Sequence, residues 1–258
     1  MSRSVRVLHI APLLAMAIAA CGAQSAAPVN SSPAANAASP PAQTAAKGSC
    51  TNQYMPVVNG ATWTYAVTNT VNGGSTASSA ITAVAADSFT LAVKSSSGSW
   101  TETWSCNKDG LLQLQNNGGA LGGTISGPDG TATITTTANT GLTLPANIKP
   151  GDSWTQRTDY SLTSTVGVSG TSTTTYTFTA IGTESVAVPA GTFTAMRVDM
   201  KVASSFTFAD GKLLPSTSTA STWLVKGKGL AKMTMTTAIG ASSNSVSFDQ
   251  ELQSVQIP

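Results

Sequence analysis

Apolar and polar residues alternate along much of the chain, and this period of two restricts the fold more than any other feature of the sequence. In FTAMRVDMKVASSFTF (193–208), Met196, Val198 and Met200 fall on one side of an extended backbone, whereas Arg197 falls on the other. Such alternation predicts a β-strand with one face in a core and the other in water. No segment combines the apolar spacing of a helix with helix-capping residues.

Other segments show the same alternation, and turn signals lie between them. The segments are 61–70, 88–95, 99–106, 174–182, 221–227, 231–239 and 245–255. Short turns such as NGG at 72–74, KDG at 108–110 and ADGK at 209–212 join neighbouring strands in the antiparallel sense. The sequence therefore predicts a single all-β domain of antiparallel strands over residues 49–258.

Two glycines precede a tryptophan by the same distance. Gly60 lies three residues before Trp63, and Gly151 lies three residues before Trp154, each time at the start of a predicted strand. We interpret both as a turn glycine followed by a tryptophan that is buried at the end of a sheet. Internal duplication is the alternative, which two matches do not establish.

The first twenty residues have the pattern of an export signal. Arg3 and Arg6 precede an apolar run that is too short to span a bilayer as a stable helix. The run ends in IAAC (18–21), which resembles a bacterial lipobox. We predict that residues 1–20 are a signal peptide and that Cys21 becomes the acylated first residue of the mature protein. An ordinary secretory leader that is cut nearby is the alternative.

Acyl chains on Cys21 would anchor the protein in a bilayer, because each buried methylene contributes about 0.8 kcal/mol. Gly22, rather than Asp, follows the cysteine, which favours the outer membrane with the domain facing the periplasm or the cell surface. Residues 22–48 are rich in Ala, Ser and Pro and contain no aromatic residue. Such a segment cannot offset its ordering entropy by burial. We therefore predict a disordered tether over residues 21–48.

The cysteine count agrees with acylation. The chain has three cysteines, and an odd number leaves one thiol unpaired in an oxidising compartment. If Cys21 carries lipid, Cys50 and Cys106 remain as one pair. Export favours a disulfide between them, and two reduced buried thiols are the alternative.

Charge and histidine usage exclude several function classes. Removal of Arg3 and Arg6 from the 13 basic residues leaves 11, which equals the number of acidic residues. Without a basic tract, binding to nucleic acid is not expected. His9 is the only histidine, and it leaves with the predicted leader. The mature protein would then lack an imidazole for a Ser-His-Asp triad or a metal site, and we expect no cofactor.

Four motifs carry a family resemblance. They are YMPVVNGATWTY (54–65), LPANIKPGDSWT (144–155), VPAGTFTAMRV (188–198) and TWLVKGKGLAKM (222–233). In this order they resemble motifs of uncharacterised bacterial envelope lipoproteins. The resemblance implies a large, strongly curved antiparallel sheet, a half-barrel or open barrel broadly like that of LolA/LolB-type lipoprotein carriers, and no catalytic residues. The stretches 116–142 and 161–175 depart from the family pattern because they are unusually rich in Gly, Thr and Ser. We expect each to form either an extra exposed hairpin or a poorly ordered loop.

Methionine spacing points to a binding groove. Four methionines form two pairs at strand spacing, and flexible thioethers suit a surface that adapts to varied apolar partners. If the sheet is open on its concave side, these residues and nearby aromatic ones would hold acyl chains or an apolar peptide. Ordinary core packing explains the same pattern. The predicted groove consists of Met196, Met200, Phe206, Phe208, Trp223, Met233 and Met235.

Two further side-chain pairs share a strand face. Asp249 and Glu251 would lie about 7 Å apart, a spacing that suits glycoside hydrolysis, with a solvated sheet edge as the alternative. Trp100 and Trp104 flank Glu102. Such a tryptophan pair stacks on sugar rings or fills a sheet near a disulfide.

Together these residues predict a non-enzymatic lipoprotein that is tethered to the membrane and binds or scaffolds in the cell envelope. Its expected partners are the lipid bilayer, through the acyl chains, and a hydrophobic ligand or another envelope protein. A surface adhesin or glycan-binding lipoprotein is the alternative, and a hydrolase that uses carboxylates alone is the third reading.

Overall fold

The computed structural model describes residues 50–70, 73–96, 98–117, 123–127, 130–239 and 245–258. The predicted signal peptide, Cys21 and the predicted tether lie outside these residues. The described residues form no helix, and so none that is long and apolar enough to cross a membrane. The fold is all-β, as the alternation predicts.

The described strands form one antiparallel sheet. They are β1 (Thr62–Asn69), β2 (Gly73–Val84), β3 (Ser88–Ser95), β4 (Gly98–Asn107), β5 (Gly110–Asn117), β6 (Gly123–Gly127), β7 (Gly130–Gly141), β8 (Leu144–Pro145), β9 (Ser153–Ser164), β10 (Ser169–Val188), β11 (Gly191–Phe208), β12 (Leu213–Val225), β13 (Gly229–Ile239) and β14 (Ser245–Gln256). Their order is β6-β7-β9-β10-β11-β12-β13-β14-β1-β2-β3-β4-β5-β8. The described part of the stretch 116–142 contains β6 and β7, and the stretch 161–175 contains the end of β9 and the start of β10, so these segments contribute strands to the sheet.

The sheet curves until its two flanks meet. The chain leaves β7 on one flank and enters β8, which pairs with β5 on the other. Between them, the Thr143 N–H donates to Leu111 O at 2.9 Å, and the Thr143 hydroxyl donates to Gln156 Oε1 at 2.9 Å. Gln156 Nε2 donates to Asn139 Oδ1 at 3.1 Å, and Asn139 Nδ2 donates to Gln113 O. Side-chain hydrogen bonds therefore join the flanks where no strand ladder does.

The two Gly–Trp segments begin equivalent strand pairs. Gly60 N–H donates to Ile81 O at 2.8 Å, and Gly151 N–H donates to Ala180 O at 2.8 Å. A β-bulge follows directly after Ile81 in β2 and directly after Ala180 in β10. The pair β1–β2 and the pair β9–β10 thus begin with the same turn, make the same first hydrogen bonds and carry a bulge at the same place.

The equivalence continues into the next strands. β5 is bulged opposite the Thr103–Trp104 step of β4, and β13 is bulged at the corresponding place, opposite the Trp223–Leu224 step of β12. Strands β1–β5 and β9–β13 therefore form an internal structural repeat, which supports the duplication alternative. In this register, Trp100, Glu102 and Trp104 of β4 correspond to Ala220, Thr222 and Leu224 of β12.

The main core lies inside the curve and links the two halves. Trp63 is buried there, and its indole N–H donates to Lys228 O at 2.5 Å. Gly229 begins β13 with a φ of +97°, and its Cα faces the Trp63 indole. The motif at 54–65, which contains Trp63, therefore contacts the motif at 222–233, which contains Lys228 and Gly229.

A disulfide joins the segment before β1 to the end of β4. Cys50 and Cys106 are bonded with an S–S distance of 2.00 Å, and both are buried. The predicted pairing is confirmed. Closing a loop of about 57 residues stabilises the fold by about 4 kcal/mol in the chain-entropy treatment.

One end of the sheet interior is covered by two segments. The turn between β10 and β11 crosses the end, where the Ala190 N–H donates to Leu252 O at 2.9 Å. The segment before β1 is held by the Gly227 N–H, which donates to Gln53 O at 2.8 Å, and Tyr54 beside it is buried. These two segments therefore cover one end of the main core.

Candidate functional site

A continuous row of apolar side chains crosses the concave face of six neighbouring strands. We refer to it as the inner apolar row, and its members pair directly with one another from β9 to β14. Five of them are half-buried, and the sixth, Ala220, is a small buried residue between two methionines. The row consists of Trp154, Phe178, Met200, Ala220, Met235 and Phe248.

The row lies against the main core but is not enclosed by it. Trp154, Phe178 and Phe248 pack on the edge of the core, and the Trp154 and Phe178 rings stack at 5.2 Å between centroids. Half-buried aromatic and thioether groups retain apolar surface that a ligand could cover, at about 25 cal/mol per Å². The adjoining Met200 and Met235 add side chains that adjust to irregular shapes.

A strip of hydroxyl groups lies beside the row on the side away from the main core. Ser218 and Thr237 are buried and share a hydrogen bond of 2.9 Å between their hydroxyl oxygens. Ser204 makes similar bonds of 3.2 Å to Ser172 and 2.9 Å to Thr174. The concave face thus changes from apolar to polar beside the inner apolar row, and the separate cluster around Phe206 follows beyond the strip.

Three of the seven predicted groove residues lie on or beside the inner apolar row. Met200 and Met235 belong to it, and Met233 lies one residue pair closer to the main core, opposite Thr222. Met196 is 3% exposed and is part of the main core itself. For Met196 the core-packing alternative is correct, because the β10–β11 turn covers that end of the sheet.

The other predicted groove residues lie elsewhere. Phe206 is 1% exposed in a separate cluster with Ile134 and Leu162, and Phe208 packs edge-to-face on it at 4.8 Å. Trp223 pairs with Arg197 and therefore lies on the opposite, outer face. The seven residues therefore do not form one groove. Phe206 and Phe208 lie on the Met200 face of β11 but belong to a different cluster, and Trp223 lies on the opposite face because register, not alternation, relates one strand to the next.

On the outer face, Trp223 is enclosed by charged groups. Arg197 lies 5.7 Å and Lys232 lies 6.0 Å from the centre of its ring, and its indole N–H donates to Glu184 Oε1 at 2.5 Å. Arg197 also pairs with Asp199 at 2.9 Å. Cations at this range from the Trp223 ring stabilise its place in a charged surface network.

The Asp249–Glu251 pair is not built as a catalytic dyad. Glu251 is bonded to Lys232 at 2.7 Å, and Asp249 is exposed to solvent on the same outer face. Among the described residues, no group of three or more His, Cys, Asp or Glu side chains could hold a metal ion.

The concave face also carries a carboxylate between two tryptophans. The indole N–H of Trp100 donates to Glu102 Oε1 at 3.3 Å, and that of Trp104 donates to Oε2 at 3.1 Å. Trp104 is buried and stacks on Phe89 at 5.5 Å. The sequence places Glu102 between these tryptophans, and the sequence alone predicts a pair of rings that stack on sugars or fill the sheet. The structure shows instead that both indole N–H groups donate hydrogen bonds to the Glu102 carboxylate.

Burial governs the chemistry of this carboxylate. Desolvation raises the pKa of the Glu102 carboxyl above its usual range, although the two indole hydrogen bonds partly oppose the shift. Burial and then the charge of Glu102 also raise the pKa of the Tyr65 hydroxyl, so Tyr65 faces the same site. Within the described residues, Glu102 has no ion pair with a Lys or Arg side chain.

No protein-family model and no curated protein matches the chain. Solved structures similar to 80% of it include a protein of Parabacteroides distasonis provisionally described as a lipoprotein, with 13% identity over 99% of that chain and a TM-score of 0.49. Another is a Bacteroides fragilis protein provisionally described as exported with a YmcC-like fold, with 11% identity over 100% of that chain and a TM-score of 0.49.

A third structure is the hypothetical lipoprotein YmcC of Escherichia coli, with 13% identity over 87% of that chain and a TM-score of 0.36. None of the three is described as a LolA/LolB-type carrier. Identities and TM-scores this low support no transfer of activity or of residue roles, so the function is argued from this chain alone.

Proposed function

We propose that this protein is a lipid-anchored envelope protein whose sheet binds an apolar or amphipathic ligand on its concave face. The observation that carries the proposal is the inner apolar row, because five of its six members are half-buried inside a sheet whose flanks are joined. A side chain in a completed core would be buried like Met196. The row instead presents adaptable apolar surface next to a strip of hydroxyl groups.

The proposed location follows from the leader rather than from the sheet. Acylation of Cys21 would place two or three acyl chains in the outer membrane, which is enough for stable anchoring. The segment up to residue 48 would then act as a flexible tether. The bilayer is thus one proposed partner, and the ligand of the concave face is the other.

The geometry favours binding over the other two functions. A glycan-binding surface needs aromatic rings that are free to stack, whereas Trp104 is packed on Phe89 and Trp223 lies between Arg197 and Lys232. A carboxylate-only hydrolase needs two acids in a cleft, and Glu251 is held by a salt bridge on an outer face. We therefore propose a non-catalytic role.

The test is binding of the fluorescent apolar probe 1-N-phenylnaphthylamine to the full-length chain that carries Cys21→Ser, so that acyl chains do not compete. We expect saturable binding, which the double variant Met200→Gln/Met235→Gln weakens about tenfold or more through lost apolar contact. The matched control is Lys201→Gln/Thr236→Gln, which changes the adjacent exposed positions on the outer face.

Retained probe affinity in the methionine variant, with the native fold verified by near-UV circular dichroism, would contradict the proposed site. Equal weakening in the control variant would contradict it as well, because the loss would then not depend on the face. Absence of saturable binding in the parent protein would refute the function itself.

A further inference from the structure

Glu102 is the one carboxylate that the described residues place on the concave face, and it has no cation beside it. Its two oxygens each accept an indole N–H, which leaves further lone pairs on both oxygens. Taking a carboxylate out of water is costly unless a positive charge or a proton compensates it. The chain therefore keeps a costly group here with hydrogen-bond donors but without a cation to compensate its charge.

The fold does not require this group. In the other half of the internal repeat, the positions of Trp100, Glu102 and Trp104 are occupied by Ala220, Thr222 and Leu224. The same curved hairpin thus forms with an apolar or hydroxyl residue at each place. The Trp-x-Glu-x-Trp segment is specific to β4, which points to a role other than folding.

The segment and the inner apolar row border the same core. Trp104 belongs to the main core, and Trp154, Phe178 and Phe248 of the row pack against that core. A molecule whose apolar part covers the row would therefore place a polar end within the same interior. A carboxylate beside a partly exposed aromatic ring, here Trp100, recognises an organic cation through its charge and through the ring quadrupole.

We infer that Trp100 and Glu102 bind the ammonium group of an amphipathic ligand whose apolar part lies along the inner apolar row, while the buried Trp104 holds the Glu102 carboxylate in place. This inference rests on the function proposed above and names the ligand class: a long-chain amine or quaternary ammonium compound. The ammonium group supplies the positive charge that the desolvated Glu102 lacks. Trp100 is half-buried, so one wall of the site remains accessible.

The site also predicts a dependence on pH. An ammonium ligand binds the ionised form of Glu102, so binding should strengthen as the pH rises through the elevated pKa of this carboxyl. Tyr65 is the other titratable group that faces it, and its pKa is raised further from neutrality. A change in binding at a pH below the titration of Tyr65 is therefore assigned to Glu102.

The experiment compares two probes of equal chain length on the full-length Cys21→Ser chain, below their micelle concentrations. Dodecyltrimethylammonium and the uncharged dodecyl tetraethylene glycol ether each compete with bound 1-N-phenylnaphthylamine. We expect the cation to bind about tenfold more tightly at neutral pH, and Glu102→Gln to abolish this preference. The control is Glu184→Gln, which removes a carboxylate that also accepts an indole N–H but lies on the outer face.

The outcomes separate the two proposals. If neither probe competes, the proposed binding function fails. If both compete equally, or if Glu102→Gln keeps the preference for the cation, the ammonium site is overturned while the function stands. A preference that Glu184→Gln removes and Glu102→Gln does not would likewise overturn it. Loss of the pH dependence in Glu102→Gln alone is the supporting result.

Discussion

Gly229 provides a sharp test of how the two halves of the sheet are joined. Its φ of +97° is one that residues with a side chain rarely adopt, and a Cβ built there lies 3.0 Å from Trp63 Nε1. That indole nitrogen is the donor of the hydrogen bond to Lys228 O. Gly229→Ala therefore combines backbone strain with displacement of Trp63.

The two costs are of similar size. A non-glycine residue in this region of φ costs about 1–2 kcal/mol. Displacing Trp63 leaves a buried indole N–H and a carbonyl without partners, which costs about 1–3 kcal/mol more. We expect Gly229→Ala to lower the free energy of unfolding by about 3 kcal/mol.

Gly227→Ala is the matched control. Gly227 also has a positive φ, of +68°, but no atom lies within 4 Å of a Cβ built there. This variant should lose about 1 kcal/mol, from backbone strain alone. The difference between the two variants then measures the contact with Trp63.

The assay is equilibrium unfolding in urea followed by tryptophan fluorescence, with midpoints compared at a common slope. Gly229→Ala should unfold at a clearly lower urea concentration than Gly227→Ala. Equal midpoints for the two variants would refute the reasoning, because the contact with Trp63 would then contribute nothing to stability.

Further predictions concern the anchor, the disulfide and the buried acid. Cys21→Ser should move the protein from the membrane fraction to the soluble fraction in cell fractionation, and unchanged membrane retention would contradict acylation there. Cys50→Ala/Cys106→Ala should lower the free energy of unfolding by about 4 kcal/mol in urea, whereas a loss below 1 kcal/mol would show that loop closure matters little. Because the pKa of Glu102 is raised in the folded state, its contribution is largest at low pH and is lost as the pH rises through that pKa. Glu102→Gln should therefore gain stability over the parent with rising pH, by at most about 1.4 kcal/mol per pH unit, and parallel pH profiles would contradict this.

The strands that the sequence predicts are those with an apolar face. β3 and the middle of β11, from Met196 to Val202, alternate because one side of each packs in or beside a core. β7 and the first part of β10 consist largely of Thr, Ser and Gly. Their sequences show no apolar–polar alternation, because the side chains on the concave face are also polar there. Thr favours strands as a β-branched residue, so composition rather than periodicity is the available signal.

The candidate site was only partly accessible to sequence reasoning. Spacing within β11 places Met196 and Met200 on one face, yet the covering turn between β10 and β11 buries the first and leaves the second half-buried. Trp223 lies on the opposite face because register, not spacing, relates one strand to the next. Long-range contacts of this kind depend on the closure of the whole sheet.

The internal repeat is only weakly indicated by the sequence but is clear in the structure. In sequence, Gly60 and Gly151 are similar only in their distance to a tryptophan. In the structure both form the same turn, and each donates its N–H to the second strand after it, to Ile81 O in β2 and to Ala180 O in β10. Comparing the two halves of the repeat also identifies residues that the shared fold does not require. Glu102 stands out because its counterpart, Thr222, occupies an equivalent position without charge.

Native mass spectrometry of the protein extracted from its own membranes would show whether the concave face carries a ligand. We predict a mass above that of the acylated chain, by one amphipathic molecule with a long apolar chain, and loss of that excess in Met200→Gln/Met235→Gln. A mass equal to the acylated chain alone, under conditions in which added dodecyltrimethylammonium remains bound, would contradict a ligand on the concave face.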